Sequence, residues 1–200
     1  MLRPALLITA ALLVTSTTAQ AHTGVGDATG FIHGFGHPLS GIDHILAMVA
    51  VGLFAAHLGG RALWLVPLSF VSMMIAGGAF GLADVHLPFV EVGIGLSVVV
   101  LGVAVATGFH TPTAAAMALV GFFAIFHGHA HGAEMPQSAS GFEYGGGFVL
   151  ATAILHACGI GIGLLVGRLP GAYGTRVLQV TGSAMALIGI AILTGGAMSK

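Results

Sequence analysis

The sequence predicts an all-α protein, a polytopic membrane helix bundle with six transmembrane helices behind a cleaved signal peptide. Three observations carry that expectation. Only 6% of the 200 residues are charged and 56% are hydrophobic, with a mean hydropathy of +1.05, a surface chemistry that a water-soluble chain of this size does not support. Six apolar runs each approach the ~20 residues that cross a ~30 Å hydrocarbon layer. The chain also opens with Arg3, an apolar stretch from Leu6 to Val14 and a closing Ala19-Gln20-Ala21, the three parts of a secretory signal.

Residues 1–21 are therefore expected to be removed, leaving residues 22–200 as one transmembrane domain with His22 at its new terminus. Residues 23–40 carry Gly24, Gly26, Gly30, Gly34 and Gly36, too many for a stable helix in water, and read as loop or broken helix at the membrane surface. Pro38 suits a first helical position, so the first span is expected at 39–57. The others are expected at 62–82, 88–107, 112–127 with continuation through His131, 146–166 and 177–196. No internal repeat stands out.

If the signal delivers His22 to the far side, the loops at 59–61, 108–112 and 168–176 face the cytoplasm. Arg61, Arg168 and Arg176 all fall in those loops, as the positive-inside rule requires. A multi-pass protein of the bacterial inner membrane with a periplasmic mature N-terminus is thus expected. A net charge of -1 with five Lys+Arg leaves no basic patch for nucleic acid. The single Cys158 excludes an internal disulfide framework and a thiolate-rich metal cage, and reads as a small packing residue.

Histidine dominates the few polar residues, with eleven copies. In the stretch from His37 to Met48, two imidazoles and a carboxylate stand at the mouth of an apolar run. On an ideal helix His37 and His44 lie within ~20° of each other, whereas Asp43 points ~100° away. Either the segment unwinds near Gly41 so that adjacent side chains converge, or Asp43 accepts the N–H of a ligating imidazole from behind. The plainest alternative is an exposed carboxylate at a helix start, favoured by the dipole.

The second constellation is Phe126-His127-Gly128-His129-Ala130-His131-Gly132-Ala133-Glu134. His127, His131 and Glu134 fall within a ~60° arc if the helix continues, a chelating face for a divalent first-row metal. His129 points elsewhere and suits an outer relay. The competing account is a loose His-rich loop, because Gly128 and Gly132 weaken the helix. Glu91, near the start of the third expected span, faces the bundle interior as ligand or gate, or else is protonated. His156 suits a helix–helix hydrogen bond, and His57 an interface or an exit ligand. Trp64, Phe70, Met48, Met73 and Met74 read as packing or pore lining.

No motif supports a common enzyme class: there is no His-Glu-x-x-His helix, no Lys-bearing phosphate loop and no Gly-x-Ser-x-Gly elbow. The run from Gly34 through His37-Pro38-Leu39-Ser40-Gly41-Ile42-Asp43-His44 to Gly52 resembles the first signature of the HupE/UreJ family of nickel permeases, and residues 126–134 resemble its second. The resemblance extends over the whole chain.

What it implies is a permease, not an enzyme, with no prosthetic group. Its substrate would be Ni(II), with Co(II) as a second cargo, passed to hydrogenase or urease maturation proteins. His37, Asp43 and His44 match the first signature, and His131 and Glu134 the second; Phe70 and Glu91 correspond to positions the family uses in the second and third spans. The expected route gathers the ion through His22, His33 and the histidines at 127–131. It then passes the ion to His37, Asp43, His44, His131 and Glu134, with Glu91 handing it inward. Two rivals use the same residues: an intramembrane zinc hydrolase, and a subunit that holds metal without conducting it.

Overall fold

The structure, a computed structural model, describes residues 28–136 and 139–198. The expected signal peptide and His22 lie outside the described residues. Among those described, the chain forms seven helices and no strand: α1 Ala28–Ser40, α2 Ile42–Leu58, α3 Ala62–Leu82, α4 Val90–Thr107, α5 Thr113–Ala133, α6 Gly141–Val166 and α7 Tyr173–Met198.

Helices α3 to α7 are each long and apolar enough to cross a bilayer, and α1 with α2 makes a sixth, broken span bent by 82°. At 17 residues, α2 alone rises about 25 Å, short of the ~30 Å layer. The first span therefore differs from expectation. Pro38 lies inside α1 rather than at a helix start, and the break falls at Gly41, whose φ of -96° and ψ of 122° are extended. Residues 28–40 are helical despite their glycines, because two of them, Gly30 and Gly34, make the contact with α6. A side chain at Gly34 would strike the Tyr144 backbone, and one at Gly147 the Phe31 carbonyl. Helix propensity in water is overridden by close approach of two backbones.

Short connections force consecutive spans to run antiparallel, and alternate spans therefore run in the same direction. Gly77 meets Ile125 and Gly81 meets His129, so α3 and α5 are parallel; Gly52 meets Gly159 and Gly163 meets Ala56, so α2 and α6 are too. The last pair is antiparallel, with Gly95 at Leu193 and Gly102 at Ala186. α2 touches every other helix. Its Met48, Val51, Leu53 and Phe54 pack with Val66, Phe70 and Met74 of α3, Val120 and Ala124 of α5 and Phe148 of α6.

The outside of the bundle is apolar. Trp64, Leu68, Ile75, Phe80, Leu165, Val180 and Leu187 are all exposed, which suits lipid and not water. Cys158 is exposed as well, on the outer face of α6 and not in the packing. This is a multi-pass membrane protein. Arg61, Arg168 and Arg176 stand at the end where α2, α4 and α6 finish; both histidine stretches stand at the opposite end.

Candidate metal centre

The break at Gly41 positions the site. It turns the chain between the last turn of α1 and the first turn of α2, so that His37 and His44 approach α5 from two helices. A side chain at Gly41 would push on the Asp43–His44 pair: an added Cβ would come within 2.6 Å of Asp43 Oδ1 and 3.2 Å of His44 Nδ1. α5 continues unbroken through Ala133, which keeps His127 and His131 on one face. It persists through Gly128 and Gly132 because those glycines let it lie directly on Met74 and Gly78 of α3.

The four imidazoles converge. His131 is central, its ring centroid 4.6 Å from His37 and 4.3 Å from His44, and His44 is 4.7 Å from His127. His127 is fully buried, His131 and His44 nearly so. Glu134, the residue that ends α5, carries an oxygen 3.0 Å from His37 Nε2. His37, His131 and Glu134 offer ligand atoms all within 4.8 Å of one another. Donors from the first and fourth expected spans thus meet at one end of the bundle.

Hydrogen-bond arithmetic fixes which nitrogens are free. Asp43 Oδ1 accepts from the backbone N–H of His44 at 2.8 Å and stands 3.0 Å from His44 Nδ1. A carboxylate only accepts, so Nδ1 carries the hydrogen and Nε2 the lone pair. Ser97 donates its one hydroxyl hydrogen to the Ile94 carbonyl at 2.6 Å, and its oxygen lies 2.8 Å from His127 Nε2. That oxygen must therefore accept from the ring, which leaves the His127 lone pair on Nδ1. His44 Nε2, His127 Nδ1 and both nitrogens of His131 are buried with no hydrogen-bond partner among the described residues. Each such atom costs about 1–3 kcal/mol if nothing engages it. Imidazoles in their neutral state, two of them backed by an acceptor on the far nitrogen, are donors of the kind a borderline divalent cation takes, although among the described residues only His37, His131 and Glu134 already hold three ligand atoms within mutual reach.

Aromatic rings bound the cluster. Phe148 packs on His131 with centroids 3.9 Å apart, and Phe70 lies 5.7 Å from His127. Beside His131, between α3, α5 and α6, a cavity of about 640 Å³ is lined by glycines, Met74, Tyr144 and Phe148 among others.

The remaining expected residues are placed as follows. Asp43 bonds His44 from behind. Glu91 is exposed in the first turn of α4, a favourable end for a carboxylate, with no hydrogen bond to the histidines among the described residues. Its neighbour Gly93 abuts the Phe126 ring. His129 turns away and bonds the Val85 carbonyl at 2.8 Å, tying the end of α5 to the α3–α4 turn. His33 is exposed on α1. The helix–helix hydrogen bond expected of His156 is not formed among the described residues: both its nitrogens are buried without a partner there. Sequence reasoning missed Ser97. A lone serine in an apolar helix gives no signal.

A family model described as HupE / UreJ protein matches residues 10–192. The chain is 47% identical over 187 residues to Protein HupE of Rhizobium leguminosarum bv. viciae, an alignment covering 94% of this chain and 96% of that one. No solved structure matches it significantly.

Proposed function

The chain belongs to the HupE/UreJ family, and on that premise we propose that it is a secondary-type permease importing Ni(II), with Co(II) as a second substrate, from the periplasm to the cytoplasm. The observation that carries this reading is the set of free, buried lone pairs on His44, His127 and His131, reached from the exposed His37–Glu134 pair. An ion captured by the outer pair moves to the buried imidazoles by exchanging ligands around His131, whose ring neighbours both groups. Imidazole and carboxylate suit Ni(II) and Co(II) but do not by themselves exclude Zn(II) or Cu(II).

The arginines support an orientation that suits import. Arg61, Arg168 and Arg176 gather at the end away from His37, His44, His127 and His131, and positive charge favours the cytoplasmic face of the bacterial inner membrane. The ion delivered there supplies the maturation proteins of hydrogenase or urease. The chain has no phosphate-binding loop for ATP, so a gradient or capture inside the cell drives uptake.

Proteoliposomes containing the purified protein test this with Ni(II), Co(II) and Zn(II). Internal accumulation of Ni(II) is expected, falling about tenfold or more in His44→Ala and His131→Ala, the scale on which losing a ligand or its support acts. Binding without accumulation would overturn transport in favour of a metal-holding subunit. Tightly retained zinc with peptide or ester hydrolysis would overturn it in favour of an enzyme.

A further inference from the structure

His156 lies in the middle of α6, 2% exposed, with neither ring nitrogen partnered among the described residues. A neutral imidazole has one donor and one acceptor, and burying both unmade is costly in an apolar interior. A residue that only filled space there would be better served by leucine. Its surroundings supply the reason it is histidine. The Phe70 ring sits between two buried imidazoles, 5.7 Å from His127 and edge-on to His156 at 5.1 Å.

Depth along the bundle orders these groups. Gly128, next to His127, packs on Met74 of α3. Thr152 of α6 reaches the same Met74, its hydroxyl 3.7 Å from the thioether sulfur. His156 is one helical turn beyond Thr152 on the same face, and so about 6 Å farther from the histidine-rich end. Phe70 is one turn beyond Met74 in the same direction, because α3 runs toward that end. Buried donors therefore continue inward from His131 through His127, past the edge of Phe70, to His156, with the Met74 thioether and Thr152 hydroxyl beside the way.

We infer that His156 is a second, inner ligand station for the transported divalent cation, reached from the outer cluster past the Phe70 ring. The inference rests on the permease reading for its direction and adds a site to it. At this station the ion loses the carboxylate and clustered imidazoles of the outer site for one nitrogen and weak neutral donors. Binding there is weaker, and an ion that must leave toward the cytoplasm needs a weaker stop before release.

Two measurements test it. In a Cys158→Ala background, His156→Cys is titrated with Co(II) and read by the thiolate-to-cobalt charge-transfer band in the near ultraviolet. The band is expected in that variant and not in Cys158→Ala alone. Its absence overturns the inference whatever the transport data show. In proteoliposomes, His156→Leu, which fills the volume without a ligand, is expected to cut Ni(II) uptake at least tenfold. Equilibrium Co(II) binding at the outer cluster should stay within about twofold, and thermal stability should be equal or higher.

Uptake by His156→Leu at the wild-type rate overturns the inference and leaves the permease reading intact. The band together with no uptake by the unaltered protein overturns the permease reading and leaves the inner site. Loss of outer-site binding or of stability in His156→Leu would make His156 a structural residue and overturn the inference.

Discussion

Ser97 on α4 and His127 on α5 meet at 2.8 Å in the closed interior of the bundle, and the serine has already given its hydrogen to Ile94. The contact therefore fixes more than a packing arrangement. It makes His127 donate from Nε2 and present Nδ1 as a lone pair, and it holds the ring at one angle.

Ser97→Ala removes that acceptor and leaves a ring N–H buried without a partner. Co(II) affinity is expected to fall about 10- to 100-fold, the usual cost of losing the group behind a ligating histidine. Stability should fall by about 1–3 kcal/mol. Cobalt titration and thermal unfolding in the same detergent check both.

Asp43 plays the matching part for His44, and its carboxylate charge adds to ligand basicity. Asp43→Asn retains an acceptor but loses that charge and permits the amide to turn its NH2 toward the ring. Affinity is expected to fall about 10-fold or more with little change in unfolding temperature. An unchanged cobalt affinity would show that Asp43 is merely a helix-start carboxylate.

Gly128 and Gly161 separate close packing from composition. A methyl group at Gly128 would strike the Met74 carbonyl, whereas one at Gly161 meets nothing within 4 Å. Gly128→Ala should destabilise the protein by about 1–3 kcal/mol and move α5 with its histidines, so uptake should fall too. Gly161→Ala, in a helix interior, should be neutral or stabilising by up to about 1 kcal/mol. Thermal unfolding of the two variants side by side decides.

Much of the fold was readable because a span needs only length and apolarity, and α3, α4 and α5 begin and end close to where composition puts them. The first span was harder. Pro38 looks like a helix start, but it sits inside α1, and the break at Gly41 depends on Asp43 and His44 folding back over a residue without a side chain. Residues 28–40 read as loop because glycine weakens helices in water; only the presence of α6 turns Gly30 and Gly34 into contact points.

The His37, His44 and His131 stretches were visible as motifs, and the continuation of α5 through His131 brought them together. Ser97 and the orphaned nitrogens of His156 were not visible, since both depend on what lies opposite on another helix. Glu91 looks buried by its place in the chain, yet α4 begins only at Val90 and leaves it exposed.

X-ray absorption on the bound ion addresses the shared site most directly. With one equivalent of Co(II) or Ni(II), the fine structure should show at least three imidazoles per ion in the unaltered protein. Each of His44→Ala, His127→Ala and His131→Ala should show one fewer. An oxygen-dominated shell, or an imidazole count that none of the three substitutions changes, would contradict a single cation held between α1–α2 and α5.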